Sequence, residues 1–122
     1  MDRPLTIRER NLIEWLLLHG EPGASEFLPQ LKAAHVYLGC GCGCPTINIE
    51  VPDTIPAARG RSNILADFVA DVGENPVGVI LVQAGGRLSG LEIYALGDPP
   101  IPFSLPDPSM LHLFEKNMKP LD

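Results

Sequence analysis

A β-hairpin in the second half of the chain places the tightest constraint on the fold. Apart from Gln83, residues Gly78 to Ala84 are apolar on both faces, a pattern typical of a central strand that is covered on both sides. The pair Gly85-Gly86 follows directly, and glycines supply the backbone conformations that a tight hairpin turn requires. We therefore predict that Leu88 to Leu96 returns beside Gly78 to Ala84 as the next strand.

Further segments before this hairpin also have the pattern of strands. His35 to Leu38 is rich in residues that favour strands, and Thr46 to Val51 alternates strictly before Pro52 ends it. Ile64 to Val72 alternates as well, which favours a strand over a helix. Its buried face is predicted to hold Ile64, Ala66, Phe68, Ala70 and Val72.

The N-terminal third has the signals of helices. Thr6 and Glu9 have the spacing of a capping box, so we predict a helix from Ile7 to His19 with Gly20 as its stop. A second helix is predicted from about Ser25 or Glu26 to Lys32, with Pro29 in or near its first turn.

The C-terminal tail is rich in proline and should cross the domain surface in an extended conformation. Asp107 and Pro108 suit the start of a short helix, which we predict over Pro108 to Lys116. Together these elements predict a single α+β domain over residues 1–122. Its two N-terminal helices should pack on a mostly antiparallel sheet of about four or five strands.

The charge of the chain restricts its partners. Fifteen acidic and nine basic residues give a formal net charge of -6. An acidic domain repels phosphate backbones, so we expect no nucleic-acid partner, while the same charge suits a basic protein. No apolar run approaches the roughly 20 residues that a membrane span requires, and the N-terminus lacks a signal-peptide pattern. We therefore expect a cytoplasmic protein with no membrane partner.

All three cysteines, Cys40, Cys42 and Cys44, lie within five residues and alternate with glycine. Alternate side chains of a straight strand are about 6.6 Å apart, so they would share an ion only if the glycines bend the chain. His35 is the nearest candidate for a further ligand, and Cu(I) would suit so few sulfur ligands. A small metal- or thiol-binding protein is thus one alternative. Cysteines that act as small buried apolar residues at a bend are the favoured interpretation, with no cofactor.

The sequence offers little support for an enzyme. It has no G-x-S-x-G segment, its glycines do not form a dinucleotide fingerprint, and its three histidines are scattered. Glu50 and Glu92 could form a pair of catalytic carboxylates, but nothing in the sequence brings them together. We therefore predict a protein without catalytic residues.

Polar residues on the predicted strands suggest a binding surface instead. Alternation turns them away from the apolar face, so neighbouring strands would gather several carboxylates around one tyrosine. An acidic surface with an aromatic anchor suits a basic protein partner. An ordinary solvated sheet face has the same pattern. The predicted partner-binding residues are Asn48, Glu50, Asp67, Asp71, Glu92 and Tyr94.

Several segments together resemble a group of short bacterial proteins with a CGCGCP-type segment. They are Cys40 to Ile47, Gly78 to Val82 and Gly86 to Tyr94, with Leu12 to Leu16 and Phe27 to Leu31 nearer the N-terminus. Small acidic proteins of this group are similar to immunity proteins of bacterial toxin systems, including contact-dependent growth inhibition. The resemblance implies that the chain binds and neutralises a cognate toxin, such as a nuclease domain, and it carries over no catalytic residue.

Overall fold

The computed structural model describes residues 3–39, 45–59, 62–72, 75–95 and 105–113. These residues form one α-helix, two 3₁₀ helices and a sheet of seven strands. The helices are α1 (Ile7–His19), a long 3₁₀ helix (Ala24–Ala33) and a short one (Pro108–Met110). The strands are β1 (Arg3–Pro4), β2 (His35–Gly39), β3 (Ile47–Glu50), β4 (Ile64–Val72), β5 (Asn75–Ala84), β6 (Arg87–Ala95) and β7 (Leu111–Leu113).

The strands lie in the order β1-β2-β3-β6-β5-β4-β7, and every neighbouring pair is antiparallel. The prediction of an α+β fold with a mostly antiparallel sheet is confirmed. The prediction that Gly78 to Ala84 forms a central strand is also confirmed, because β5 contains this segment and lies between β6 and β4. Gly85 and Gly86 form the tight turn of this hairpin with φ values of 62° and 84°, the positive values that the turn requires.

The predicted number of strands was too low, because two strands are too short to show a periodic pattern. β1 has two residues and β7 has three, whereas alternation is recognisable only over about four or more residues. Both pair with longer strands, β1 with β2 and β7 with β4. Their conformation is therefore set by the neighbouring strand and not by their own sequence.

The helices after α1 were also misplaced. The second helix is a 3₁₀ helix that begins at Ala24, so Pro29 lies in its interior, where it has no N–H to donate to an α-helical ladder. The predicted helix from Pro108 to Lys116 is wrong as well. Pro108–Met110 is a single 3₁₀ turn, and the next residues pair with Phe68–Ala70 on the edge of β4.

The first helix begins and ends at the residues predicted for it, Ile7 and His19. Thr6 Oγ1 accepts from the Glu9 amide at 3.0 Å, and a Glu9 carboxylate oxygen accepts from the Thr6 amide at 2.9 Å, which completes the capping box. Both Glu9 oxygens also accept from the Arg3 guanidinium at 2.9 Å. This ion pair joins β1 to α1.

The hydrophobic core lies between the helices and the inner face of the sheet. α1 packs against β4, and the long 3₁₀ helix packs against β6. The Trp15 ring meets the Phe68 ring edge-on, with centroids 5.0 Å apart. Where the chain leaves α1, the Glu21 amide donates to the Leu65 carbonyl at 2.8 Å. The largest fully buried apolar residues are Phe27, Leu12, Ile13, Leu16, Leu17, Leu81, Leu88, Leu91, Ile93, Val77 and Val79.

A β-bulge changes the predicted alternation at the start of β4. Ile64 pairs with Val82 and Ala66 pairs with Leu81, so Leu65 is the extra residue. Leu65 and Ala66 are both buried, whereas 39% of Ile64 is exposed. Ile64 was therefore predicted on the wrong face. No helix in the described part of the chain is long and apolar enough to span a membrane.

Candidate partner-binding face

The outer face of the sheet, opposite the helices, carries all six residues that the sequence predicted for partner binding. Each of the six is exposed: Asn48, Glu50, Asp67, Asp71, Glu92 and Tyr94. Strand pairing gathers some of them closely. Glu92 lies opposite Ile80 on β5, and Ile80 lies opposite Asp67 on β4. Because neighbouring strands are about 4.8 Å apart, these two carboxylates flank the same isoleucine.

Tyr94 lies in the next row of the sheet. It is opposite Gly78, which in turn is opposite Val69. The Tyr94 ring rests directly on Gly78, since a Cβ at position 78 would overlap the ring carbons and the hydroxyl. This close approach explains a glycine inside a central strand. The ring is thereby held against the sheet while 41% of the residue remains exposed.

The surroundings of Tyr94 raise the pKa of its hydroxyl. Partial burial raises the pKa of Tyr94 above its ordinary value of 10.0, and the negative charges of Asp67 and Glu92 raise it further. Both effects disfavour the phenolate. The Tyr94 hydroxyl therefore stays protonated to a higher pH than an unperturbed tyrosine does.

The centre of the outer face is apolar. Ile80 and Val82 are half-buried, and Ile64, opposite Val82, is exposed. With the Tyr94 ring they form an apolar centre whose rim includes Asp67 and Glu92. An apolar centre with a charged rim is the usual anatomy of a protein-binding surface.

Asn48, Glu50 and Asp71 lie farther from this centre. Asn48 is opposite Gly90, one row from Glu92. Glu50 is 3.5 Å from His35 and Asp71 is 3.9 Å from His112, so a histidine accompanies each of these outlying carboxylates. Neither pair was recognisable from the sequence, because the partners are distant in the chain.

The register does not bring Glu50 and Glu92 together. Asn48 lies opposite Gly90, and each glutamate follows its strand's residue of this pair by two positions. Because the two strands are antiparallel, Glu50 and Glu92 lie on opposite sides of the pair. Strand geometry then separates their Cα atoms by about 14 Å. Paired carboxylates of glycosidases lie roughly 5 to 9.5 Å apart, so this arrangement differs from that of a known carboxylate pair.

The two arginines of the described strands turn away from the outer face. Arg3 pairs with Glu9 on α1. Arg87 donates to the carbonyls of Asp53 and Ile55 in the loop after β3. The carboxylates of the outer face are thus not neutralised by arginines of their own strands.

The cysteines of the alternative metal site, Cys40, Cys42 and Cys44, lie outside the described residues. Both ends of their segment are held at one end of the sheet. Gly39 pairs with Ile47, and Thr46 Oγ1 accepts from the Ile93 amide at 2.9 Å and donates to the Ile93 carbonyl at 3.0 Å.

His35, the fourth residue of that alternative site, begins β2, about 13 Å from Gly39 by strand rise. It pairs across the strands with Glu50. Within the described ranges, no group of three or more histidines, cysteines and carboxylates is placed to hold a metal ion. The metal hypothesis therefore depends on residues 40–44.

The apolar part of the face was not recognised from the sequence. Ile80 and Val82 were read only as part of a buried strand, and Ile64 was assigned to the core. Gly78 was the available signal, because a glycine inside a strand often marks the close approach of another group.

Comparisons with protein-family models, with curated proteins and with solved structures found no match for this chain.

Proposed function

We propose that this protein is an immunity protein that binds and neutralises a cognate bacterial toxin. The observation that carries the proposal is the placement of Asp67 and Glu92 on either side of the apolar centre, with Tyr94 held beside them on Gly78. A tyrosine that is already packed loses little conformational freedom when it is buried by a partner. Tyrosine is also among the residues that contribute most to binding energy at protein interfaces.

The charges indicate the class of partner. The chain carries a net charge of -6, and the carboxylates of the outer face lie where they would meet cationic side chains. A nuclease domain presents such side chains because it binds phosphate backbones. The immunity protein would then act by occlusion, with its outer face covering the substrate-binding surface of the toxin.

The direct test is co-expression in bacteria with the toxin domain encoded by the neighbouring gene. Cells that make the toxin should survive only when this protein is present. If growth is lost equally with and without it, the proposed function is wrong for this pair.

Charge reversal then locates the interface. The double variant Asp67→Lys, Glu92→Lys should slow association with the toxin about tenfold at low salt, because long-range attraction governs the rate of encounter. The matched control Glu21→Lys, Glu26→Lys changes the net charge equally at exposed sites near the long 3₁₀ helix and should have a much smaller effect. Equal effects of the two variants would place the interface elsewhere.

A further inference from the structure

An open depression of about 480 Å³ lies at the β1 edge of the sheet, away from the centre of the outer face. It is formed by β1, α1, the end of the long 3₁₀ helix and the start of β2. Its described lining includes three cationic side chains and no carboxylate. The lining residues are Arg3, Pro4, Arg10, Lys32, Ala33, Ala34 and His35.

Positive charge is concentrated at this depression, although the chain as a whole is acidic. Three of the nine lysines and arginines line one depression, although acidic residues outnumber basic ones by fifteen to nine. Like charges that face a common space repel each other, and an anion in that space would relieve the repulsion. The clustering would favour a ligand of negative charge.

The three cations have different positions in the fold. Arg3 donates to both carboxylate oxygens of Glu9 at 2.9 Å, which fixes one wall of the depression and offsets one positive charge. Arg10 comes from α1 and Lys32 from the long 3₁₀ helix, and both side chains are exposed. Two cationic groups thus reach the same space from separate elements, a suitable arrangement for an anion with more than one charge.

We propose that this depression binds a small phosphate ester, with Arg10 and Lys32 in contact with the phosphate. A phosphate monoester carries close to two negative charges at neutral pH, which matches the two cations. Arginine and lysine both bind phosphate, the former through a planar fork of donors. The volume is within the usual range for small-molecule sites. The apolar side chains of Pro4 and Ala33 can contact the rest of the ester.

The experiment is an NMR titration of the full chain with two probes, inorganic phosphate and phenyl phosphate. The amide resonances of Lys32, Ala33, Ala34 and His35 should shift saturably, and phenyl phosphate should bind more tightly because its ring contacts the apolar part. Arg10→Gln and Lys32→Gln should each weaken binding by about tenfold, as expected for the loss of one charged hydrogen-bond donor.

Arg59→Gln is the matched control, since it removes one positive charge from an exposed loop residue outside the lining. It should leave both affinities unchanged. The absence of saturable shifts with either probe would overturn the proposal. Equal shifts with sodium chloride at matched ionic strength, or equal weakening by Arg59→Gln, would do so too. Thermal unfolding of each variant checks that it is folded. None of these outcomes depends on toxin binding.

Discussion

Tyr94 covers Gly78 on the neighbouring strand, and its ring occupies the space that a side chain at position 78 would need. The pair lies next to the row that contains Glu92, Ile80 and Asp67. A glycine in a buried strand thus determines where an exposed aromatic residue is held.

Replacing Gly78 with alanine should displace the Tyr94 ring. Because the ring can rotate towards solvent, we expect the free energy of unfolding to fall by only about 1 kcal/mol, the size of a cross-strand aromatic contact. Urea denaturation measures this change. In a Tyr94→Ala background the same substitution should cost almost nothing, since the overlapping ring is absent.

Gly90→Ala is the control for the Gly78 variant, on the adjacent strand of the same face. The nearest atom to a Cβ at position 90 is Val82 Cγ2 at 3.3 Å, which requires only a small adjustment. Equal destabilisation by the two variants would show that the cost comes from the strand backbone and not from Tyr94.

The ionisation of Tyr94 should report on its acidic neighbours. Asp67→Asn removes one of the charges that raise the pKa of Tyr94, so that pKa should fall towards 10.0. Ultraviolet absorbance of the phenolate measures it in a Tyr37→Phe background, because the chain has two tyrosines. Asp53→Asn, in the loop after β3, should leave the pKa of Tyr94 unchanged.

The same pKa gives an alkaline pH dependence of stability. The folded protein holds the Tyr94 proton more tightly than the unfolded chain does, so the contribution to stability is complete below pH 10.0. It is lost as the pH rises from that value through the higher pKa of the folded state. A Tyr94→Phe variant should lack this part of the alkaline loss in a denaturation series, and an unchanged profile would contradict the assignment.

Glu9 should contribute to stability through two separable interactions. Glu9→Gln can keep the capping hydrogen bond but loses the ion pair with Arg3. We therefore expect the free energy of unfolding to fall by about 1 kcal/mol. Glu9→Ala loses both interactions, and we expect about 2 kcal/mol. Urea denaturation measures both. Glu14→Gln, at an exposed site on α1, should have little effect.

The Glu9 interactions should also be sensitive to acid. Burial alone would raise the pKa of Glu9, but hydrogen bonds from Arg3 and Thr6 outweigh it and hold the pKa below the ordinary value of 4.5. Because the folded protein holds the Glu9 proton less tightly than the unfolded chain does, ionised Glu9 stabilises the fold above pH 4.5. This contribution is lost as the pH falls through the folded-state pKa. The acid loss should therefore be smaller in Glu9→Gln, and an identical acid profile would contradict this account.

Gln30 should be the most sensitive polar residue of the core. Its amide group donates to the Gly86 carbonyl at 2.8 Å and accepts from the Leu88 amide at 3.0 Å, and only 1% of the residue is exposed. Gln30→Leu leaves the Leu88 amide without this acceptor, whereas the Gly86 carbonyl keeps its bond from the Ala58 amide. We therefore expect the free energy of unfolding to fall by about 2 kcal/mol. Thermal or urea unfolding measures it, with Ser25→Ala at an exposed position of the same helix as the control. If Gln30→Leu lowers the free energy of unfolding less than Ser25→Ala does, water has taken over the hydrogen bonds of the Gln30 amide group.

Some elements could be predicted because their signals are local. The capping box and Gly20 fixed both ends of α1, and strict alternation or glycine pairs located β3 and the hairpin of β5 and β6. The six polar residues of the outer face were predicted for the same reason, since alternation assigns a side chain to a face without knowledge of its neighbours. The prediction was wrong for Ile64, because a β-bulge between Ile64 and Ala66 reverses the alternation.

The amino-acid sequence by itself determined the fold class, the first helix and the faces of most strands, because these depend on residues within a few positions of each other. Only the tertiary structure decided that β3 lies beside β6, that β1 and β7 complete the sheet, and that Tyr94 rests on Gly78. These features join residues far apart in the chain, and they depend on the register in which the whole inner face is buried. For the same reason, the sequence placed Asp67 and Glu92 on one face, but only the pairing of three strands set them around Ile80.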